Sequence, residues 1–274
     1  LSSSGRPIPN RHVWTMLAAA QVWCDRNDMI LEGELFSPSL ALGEHVSVFC
    51  SGRGNGTPKP IPVDAALHVF DSLSAAEWEA SDSPAFADRY ARMEAGLADV
   101  PNVRVIEQRT VECWGEVEAR AAVLWANGGE GLILRDWQGR YKHGRCSFGD
   151  QDMFKIKKFR MFDAVVVEVV QQTGIAVDAE RETDEFGRSK PVGKRDGREL
   201  RECAGALVCE MVESGQIIKV GSGLDMQGGD RDRGALWERR AELPGRHLEF
   251  KASPIGVKDL PLYPTFERWR QDLD

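Results

Sequence analysis

The sequence predicts an α+β protein of two domains, with helices and strands mixed over residues 1–161 and a small β-rich domain over residues 162–274. Two observations predict it. Before residue 162, segments with apolar residues at helical spacing alternate with short apolar runs of strand length. After it, a valine run at 164–170 opens a series of five or so short strands with one helix among them, the pattern of a small barrel.

The elements follow in chain order. Residues 2–10 are turn-rich, with Gly5, Pro7 and Pro9, and Asn10 can cap a helix whose Val13, Met16, Leu17, Ala20 and Trp23 share one face. Residues 29–36 read as a strand. Residues 51–62 form a loop; its Gly52, Gly54 and Gly56 resemble a phosphate cradle weakly, since no strand leads in and no helix follows at once. Residues 67–70 are a short strand, and Ser74 with Glu77 makes a capping box for the next helix. Phe86, Tyr90, Met93 and Leu97 mark the buried side of another helix. A strand at 103–106 precedes a helix at 111–125, which Asn127-Gly128-Gly129 stops. Residues 132–135 and 153–157 are strands. Beyond the valine run, the charged stretch 178–202 reads as a long loop or a hairpin insertion. Residues 206–212, 217–220 and 247–251 are strands, and a helix at 235–241 is closed by Pro244-Gly245. This inventory fits an OB-fold barrel.

Composition narrows the function classes. The chain has 274 residues, 42 % of them hydrophobic, and no apolar run long enough to span a membrane. It begins without a basic-then-apolar export signal, so a cytoplasmic protein is expected, from a bacterium or a phage-infected host. Six scattered cysteines with no C-x-x-C pair give no zinc site and read as reduced, mostly buried thiols. The net charge of -8 divides evenly, with 18 basic against 21 acidic residues up to residue 161 and 17 against 22 after it. Neither half coats nucleic acid by bulk electrostatics, so phosphate binding has to be local. Candidate clusters are Lys155, Lys157, Lys158 and Arg160; Arg239, Arg240 and Arg246; and Arg268 with Arg270.

Four short segments carry chemistry. In Leu31-Glu32-Gly33-Glu34-Leu35 two carboxylates at i and i+2 share a strand face, where the glycine between them would let a ligand approach. Glu130-Gly131-Leu132-Ile133-Leu134-Arg135 places an acid at a strand entrance, a natural partner for hard Mg²⁺. Lys155-Ile156-Lys157 projects two ammonium groups to one side of a strand, which suits phosphates. Arg268-Trp269-Arg270-Gln271-Asp272 supplies two guanidinium forks able to grip a polyphosphate. Each segment alone reads equally well as a solvated surface.

Taken in order, these segments resemble the covalent nucleotidyltransferase superfamily, and most closely the small phage-type ATP-dependent DNA ligases. Residues 31–35 look like that family's L-D-G-E-L, with Glu32 for Asp. Val69-Phe70-Asp71 looks like its adenine-stacking segment, and residues 130–135 resemble its E-G-[hydrophobic]₃-R strand. Lys155-Ile156-Lys157 resembles its K-x-K, and Arg268-x-Arg270-x-Asp272 its terminal R-x-R-x-D. Residues 219–223 and 256–266 look like the ligase OB domain.

The resemblance implies an ATP-grasp-like adenylation domain over 1–161 and an OB-fold domain over 162–274. It implies ATP and Mg²⁺ as cofactors, nicked double-stranded DNA as partner, a monomer, and nick sealing through lysyl-AMP and DNA-adenylate. Phe70 would stack on adenine, Glu34 would contact ribose or metal, and Glu130 would bind Mg²⁺. Lys155 and Lys157 would hold the α-phosphate. Arg268 and Arg270 would orient the pyrophosphate leaving group, carried by a domain motion hinged near residues 160–163, with Asp272 a further catalytic candidate of the same motif. The family's nucleophilic lysine sits in K-x-D-G, ahead of a stretch that residues 2–10 resemble, with Ser3 replacing its arginine. That lysine is therefore expected upstream of residue 1, in which case the chain does not self-adenylate. The string Lys194-Arg195-Asp196-Gly197 falls in the wrong place in the order and reads as a surface turn.

Rival readings are an mRNA-capping guanylyltransferase and a non-catalytic DNA-binding relative. The 219–223 and 256–266 stretches argue against the first, and the acidic balance argues against strong binding by the second. An NAD-dependent ligase is disfavoured by the lack of a cysteine cluster, and an RNA ligase by the presence of the OB half.

Overall fold

A computed structural model describes residues 6–271 except 42, 55, 145, 148, 151, 176–180, 184–188, 192–197 and 255–259. The chain forms two compact units, Leu1–Ile156 and Lys157–Asp274. The sequence had suggested a boundary at 161/162. No helix among the described residues is long and apolar enough to cross a membrane.

In the first unit, Asn10 accepts from the His12 N–H to cap α1 (Arg11–Met16). Its amide donates to the carbonyls of Val48 and Lys59 and to Ser51 Oγ, which explains how a fully buried asparagine is tolerated. The apolar face read as one helix is divided between α1 and α2 (Ala18–Asn27), with the break at Leu17. Asp28 in left-handed conformation then turns the chain into β1 (Met29–Phe36). After the short α3 (His45–Phe49), β2 (Ala66–Ser74) pairs antiparallel with β1. The capping box at Ser74 and Glu77 opens α4 (Ala75–Ala80). α5 (Phe86–Leu97) then crosses over to β3 (Val103–Val105), which runs parallel to β2. Leu31, Leu67 and Val69 from the sheet pack on Phe86, Tyr90, Met93 and Leu97, with Trp23 and Ala20 from α2. One face of the β1-β2-β3 sheet is therefore committed to the core. α6 (Trp114–Ala126) begins later than the spacing suggests and ends at Asn127, before Gly128 at φ 79°. β4 (Gly131–Arg135) and β5 (Met153–Lys157) form a separate two-stranded sheet.

The second unit is built on a five-stranded sheet of order β10-β9-β6-β11-β12. These are β6 (Arg160–Ile175), β9 (Arg198–Met211), β10 (Ile217–Val220), β11 (His247–Ser253) and β12 (Leu262–Trp269). The charged stretch contains the small hairpin β7 (Arg181–Thr183) and β8 (Ser189–Pro191), while residues 198–202 already belong to β9. Alternate residues of the large sheet line one core around Phe162, Leu207, Leu248, Phe250 and Phe266. α7 (Arg233–Glu238) packs on β9 and is capped by Asp232.

Three points differ from the sequence reading. Among the described residues the barrel is not closed. β10 ends at Val220, Gly223 (φ 83°) turns the chain out of strand conformation, and among the described residues the two sheet edges meet through one isolated bridge, Ser222 to Thr265. Residues 262–269, to which no element was assigned from the sequence, form the edge strand β12. Of the six thiols only Cys203 and Cys209 are buried, and burial pushes the Cys209 thiol up to about 12.

Candidate active site

The open face of the first sheet is written in β1. Its burial alternates residue by residue, so Leu31 and Leu35 join the cores while Glu32, Glu34 and Phe36 face outward. The two carboxylates thus share one face, as their spacing predicts. Gly33 has a different cause from ligand access: a Cβ there would lie 2.7 Å from the His68 carbonyl oxygen. The glycine is required by the close approach of β2, at the irregularity in register between Glu32 and Gly33.

The register sets the neighbours. Glu34 lies opposite His68, and His68 lies opposite Arg104 on β3, so an acid, an imidazole and a guanidinium form a row across three strands. Burial and the Arg104 cation lower the His68 pKa, against the opposing pull of Glu34. The Phe36 ring stands edge-on to His68 at 5.2 Å and stacks on His45 at 5.0 Å. Phe70 falls at the bulge, the unpaired residue between Val69, opposite Gly33, and Asp71, opposite Glu32.

Asp71 is the electrostatic centre of this region. Its carboxylate is 1 % exposed and accepts from Arg89 Nε at 2.8 Å and Nη2 at 3.1 Å, and from the Ser72 N–H. Arg89 is itself fully buried, and its Nη1 donates to the carbonyls of Pro84 and Gly139. Arg135, the last residue of β4, also pairs with Asp71 and donates to the Phe70 carbonyl at 3.0 Å, with its guanidinium 3.8 Å from the Phe86 ring centre. Thus β4 is tied to β2 at the residue next to Phe70. Glu32 turns its carboxyl group toward the Tyr141 hydroxyl. Burial raises the Glu32 pKa, and burial together with Glu32 raises that of Tyr141.

Glu130 is exposed and immediately precedes β4. Lys155 is the exposed middle residue of β5, and Lys157, at the start of the second unit, is half-buried with its ammonium 5.3 Å from the Tyr263 ring centre. Residues 31–35 and 69–71 therefore lie on the paired strands β1-β2, and residues 131–135 and 155–157 on the paired strands β4-β5, the two pairs joined by Arg135. Arg268 and Arg270 belong to the second unit. There Arg268 Nε donates to Glu249 at 2.8 Å and Arg270 Nη1 to Asp163 at 2.6 Å. Residues 160–163, where the hinge was expected, are laddered to β11; between β5 and β6 only Lys158 and Phe159 lie outside a strand. Asp272, Ser3 and the string 194–197 lie outside the described residues. Among the described residues no three His, Cys, Asp or Glu side chains gather as a metal site.

The residues missed by sequence reasoning are Asp71, Arg89, Arg104, Tyr141 and His68. Asp71 carried a signal, an acid between Val69 and Leu73 in an apolar strand, and such a residue needs a buried cation. Arg89, on the buried face of α5, was that cation. The remaining three depend on register and on the fold of the 136–152 loop.

No protein-family model and no curated protein matches the chain. Among solved structures, the fold matches that of a Lig E DNA ligase described as binding DNA with a minimal scaffold, at 19 % identity and a TM-score of 0.60, over 88 % of this chain and 76 % of that one. It also matches two structures called Pmar-Lig_Pre and Pmar-Lig_PreS3, at 19 % and 18 % identity and TM-scores of 0.67 and 0.65. These alignments take in 96 % and 93 % of this chain but only 56 % and 55 % of theirs, so the chain spans little more than half their length. The chain shares the fold of these structures.

Proposed function

We propose that the chain is the catalytic core of an ATP-dependent DNA ligase that seals 5′-phosphate/3′-hydroxyl nicks through lysyl-AMP and DNA-adenylate intermediates. The observation that carries the proposal is the Arg135 bridge. It holds the strand that follows Glu130 against the strand that bears Phe70, while Lys155 and Glu34 sit on the respective partner strands. In this reading Phe70 stacks on adenine and Glu34 accepts from the ribose. Lys155 and Lys157 neutralise charge developing on the α-phosphate, where fixed cations lower the barrier without reorganising.

Mg²⁺ fits the donor set, since it is held by one or two carboxylates together with phosphate oxygens. Glu130, an exposed hard-oxygen donor immediately before β4, would hold it, and when bound it would supply Lewis-acid stabilisation of the phosphoryl oxygens. Arg268 and Arg270 would orient pyrophosphate, and an OB-type second domain acting on nicked duplex DNA completes the proposal. The protein would act as a monomer in the cytoplasm.

Sealing of a pre-adenylated nick tests this without requiring a nucleophilic lysine. The chain with Mg²⁺ is expected to release AMP and join the strands, and Lys155→Ala to lose at least about tenfold in rate, as when a fixed cation at developing charge is removed. An adenylated nick left intact by the unsubstituted chain contradicts the proposal and favours a non-catalytic DNA-binding relative. Preference for GTP over ATP in binding would favour the capping-type guanylyltransferase.

A further inference from the structure

We propose that His68 reads the ribose of the bound nucleotide, sharing its vicinal hydroxyls with Glu34. The inference rests on the adenylate reading above and adds to it a specificity residue that the motifs do not contain. Four observations carry it. First, His68 is the direct cross-strand partner of Glu34, so the two side chains share the open sheet face at neighbour distance. Second, His68 Nε2 is shielded from solvent and meets no hydrogen-bond partner among the described residues, although buried polar atoms are nearly always paired. Third, the Phe36 ring packed edge-on against His68, itself stacked on His45, limits the ways the imidazole can turn. Fourth, His68 lies two residues from Phe70 along β2, on the other side of Val69, which is committed to the core.

The chemistry of the pair explains the ligand class. An ionised carboxylate only accepts hydrogen bonds, whereas a neutral imidazole offers one donor and one acceptor. Two adjacent hydroxyls, each donor and acceptor, satisfy both groups at once. A phosphate would be repelled by Glu34, and an apolar ring would leave Nε2 unpaired.

Equilibrium binding of ATP and of 2′,3′-dideoxy-ATP to the full chain with Mg²⁺ tests the inference. The unsubstituted chain is expected to prefer ATP by about tenfold, the scale of one or two hydrogen bonds to ribose. His68→Phe keeps a ring against Phe36 and removes both nitrogens; it is expected to weaken ATP about five- to tenfold and leave the dideoxy analogue unchanged. His68→Gln, which restores a donor and an acceptor, is expected to recover part of the preference. If His68→Phe weakens both nucleotides equally, or neither, the inference fails. Should Phe70→Ala abolish ATP binding in that same series, the adenylate reading stands without it. Absence of ATP binding to the unsubstituted chain overturns both.

Discussion

Arg135 Nη1 donates to the Phe70 carbonyl at 3.0 Å while the same guanidinium pairs with Asp71, so the end of β4 is fastened to the middle of β2. One carboxylate thereby serves two guanidiniums, Arg89 and Arg135, in a region almost closed to water. Removing the carboxylate would leave both cations uncompensated. Asp71→Asn is expected to cost about 3–5 kcal/mol of stability, the range for breaking a buried ion pair. Urea unfolding checks it, and a midpoint unchanged from the parent would show that the network carries no strain of charge.

Gly33 meets the β2 backbone, where a Cβ would fall 2.7 Å from the His68 carbonyl oxygen. Gly33→Ala is therefore expected to destabilise by about 1–3 kcal/mol, as overpacking does. It should also weaken nucleotide binding, because Glu34 follows Gly33 on the displaced strand and lies opposite His68 on β2. Thermal unfolding and ATP titration measured on the same preparation report both effects.

Glu32 gives a pH signature. Burial raises its pKa above the unfolded value, so the stabilising protonation is fully present below the unfolded pKa and is lost as pH rises through the folded one. Glu32→Gln should thus raise the Tm at pH 7 and make no difference near pH 4. The residue is exposed over more than a third of its surface, so screening holds the gain to about 1–2 °C. Calorimetry at the two pH values decides the sign.

In the second unit, Arg233 donates to four backbone carbonyls, those of Ala204, Gly205, Gly221 and Leu224, and so fixes α7 to the turn where β10 ends. Lysine cannot reproduce that planar fork. Arg233→Lys is expected to cost about 2–4 kcal/mol, one or two charged hydrogen bonds, and denaturant titration would reveal it. Cleavage of the unit by protease at unaltered rates would argue against it.

Much of this was legible in the residues. The alternation in 29–36, the capping box at Ser74 and the spacing of Phe86, Tyr90, Met93 and Leu97 are local signals, and local physics set those elements. The outward carboxylates Glu32 and Glu34 followed from strand periodicity alone. The cross-strand register was not legible. Nothing near His68 announces Glu34 as its partner, and the extra residue at Phe70 depends on how two distant segments pair. β12 was hidden for a related reason: Tyr263 at φ 59°, Pro264 and two arginines disguise an edge strand whose inward residues, Phe266 and Trp269, are few. The open edge likewise depends on where β10 stops, at Val220, ahead of Gly223 in left-handed conformation.

The claim on which all else depends is that β1, β2, β4 and β5 surround one nucleotide. A crystal structure of the chain with ATP and Mg²⁺ tests it most directly. The account predicts adenine against Phe70, ribose hydroxyls within hydrogen-bonding distance of Glu34, and the α-phosphate beside Lys155. ATP bound elsewhere, with Glu34, Phe70, Glu130 and Lys155 making no contact with it, would contradict the account.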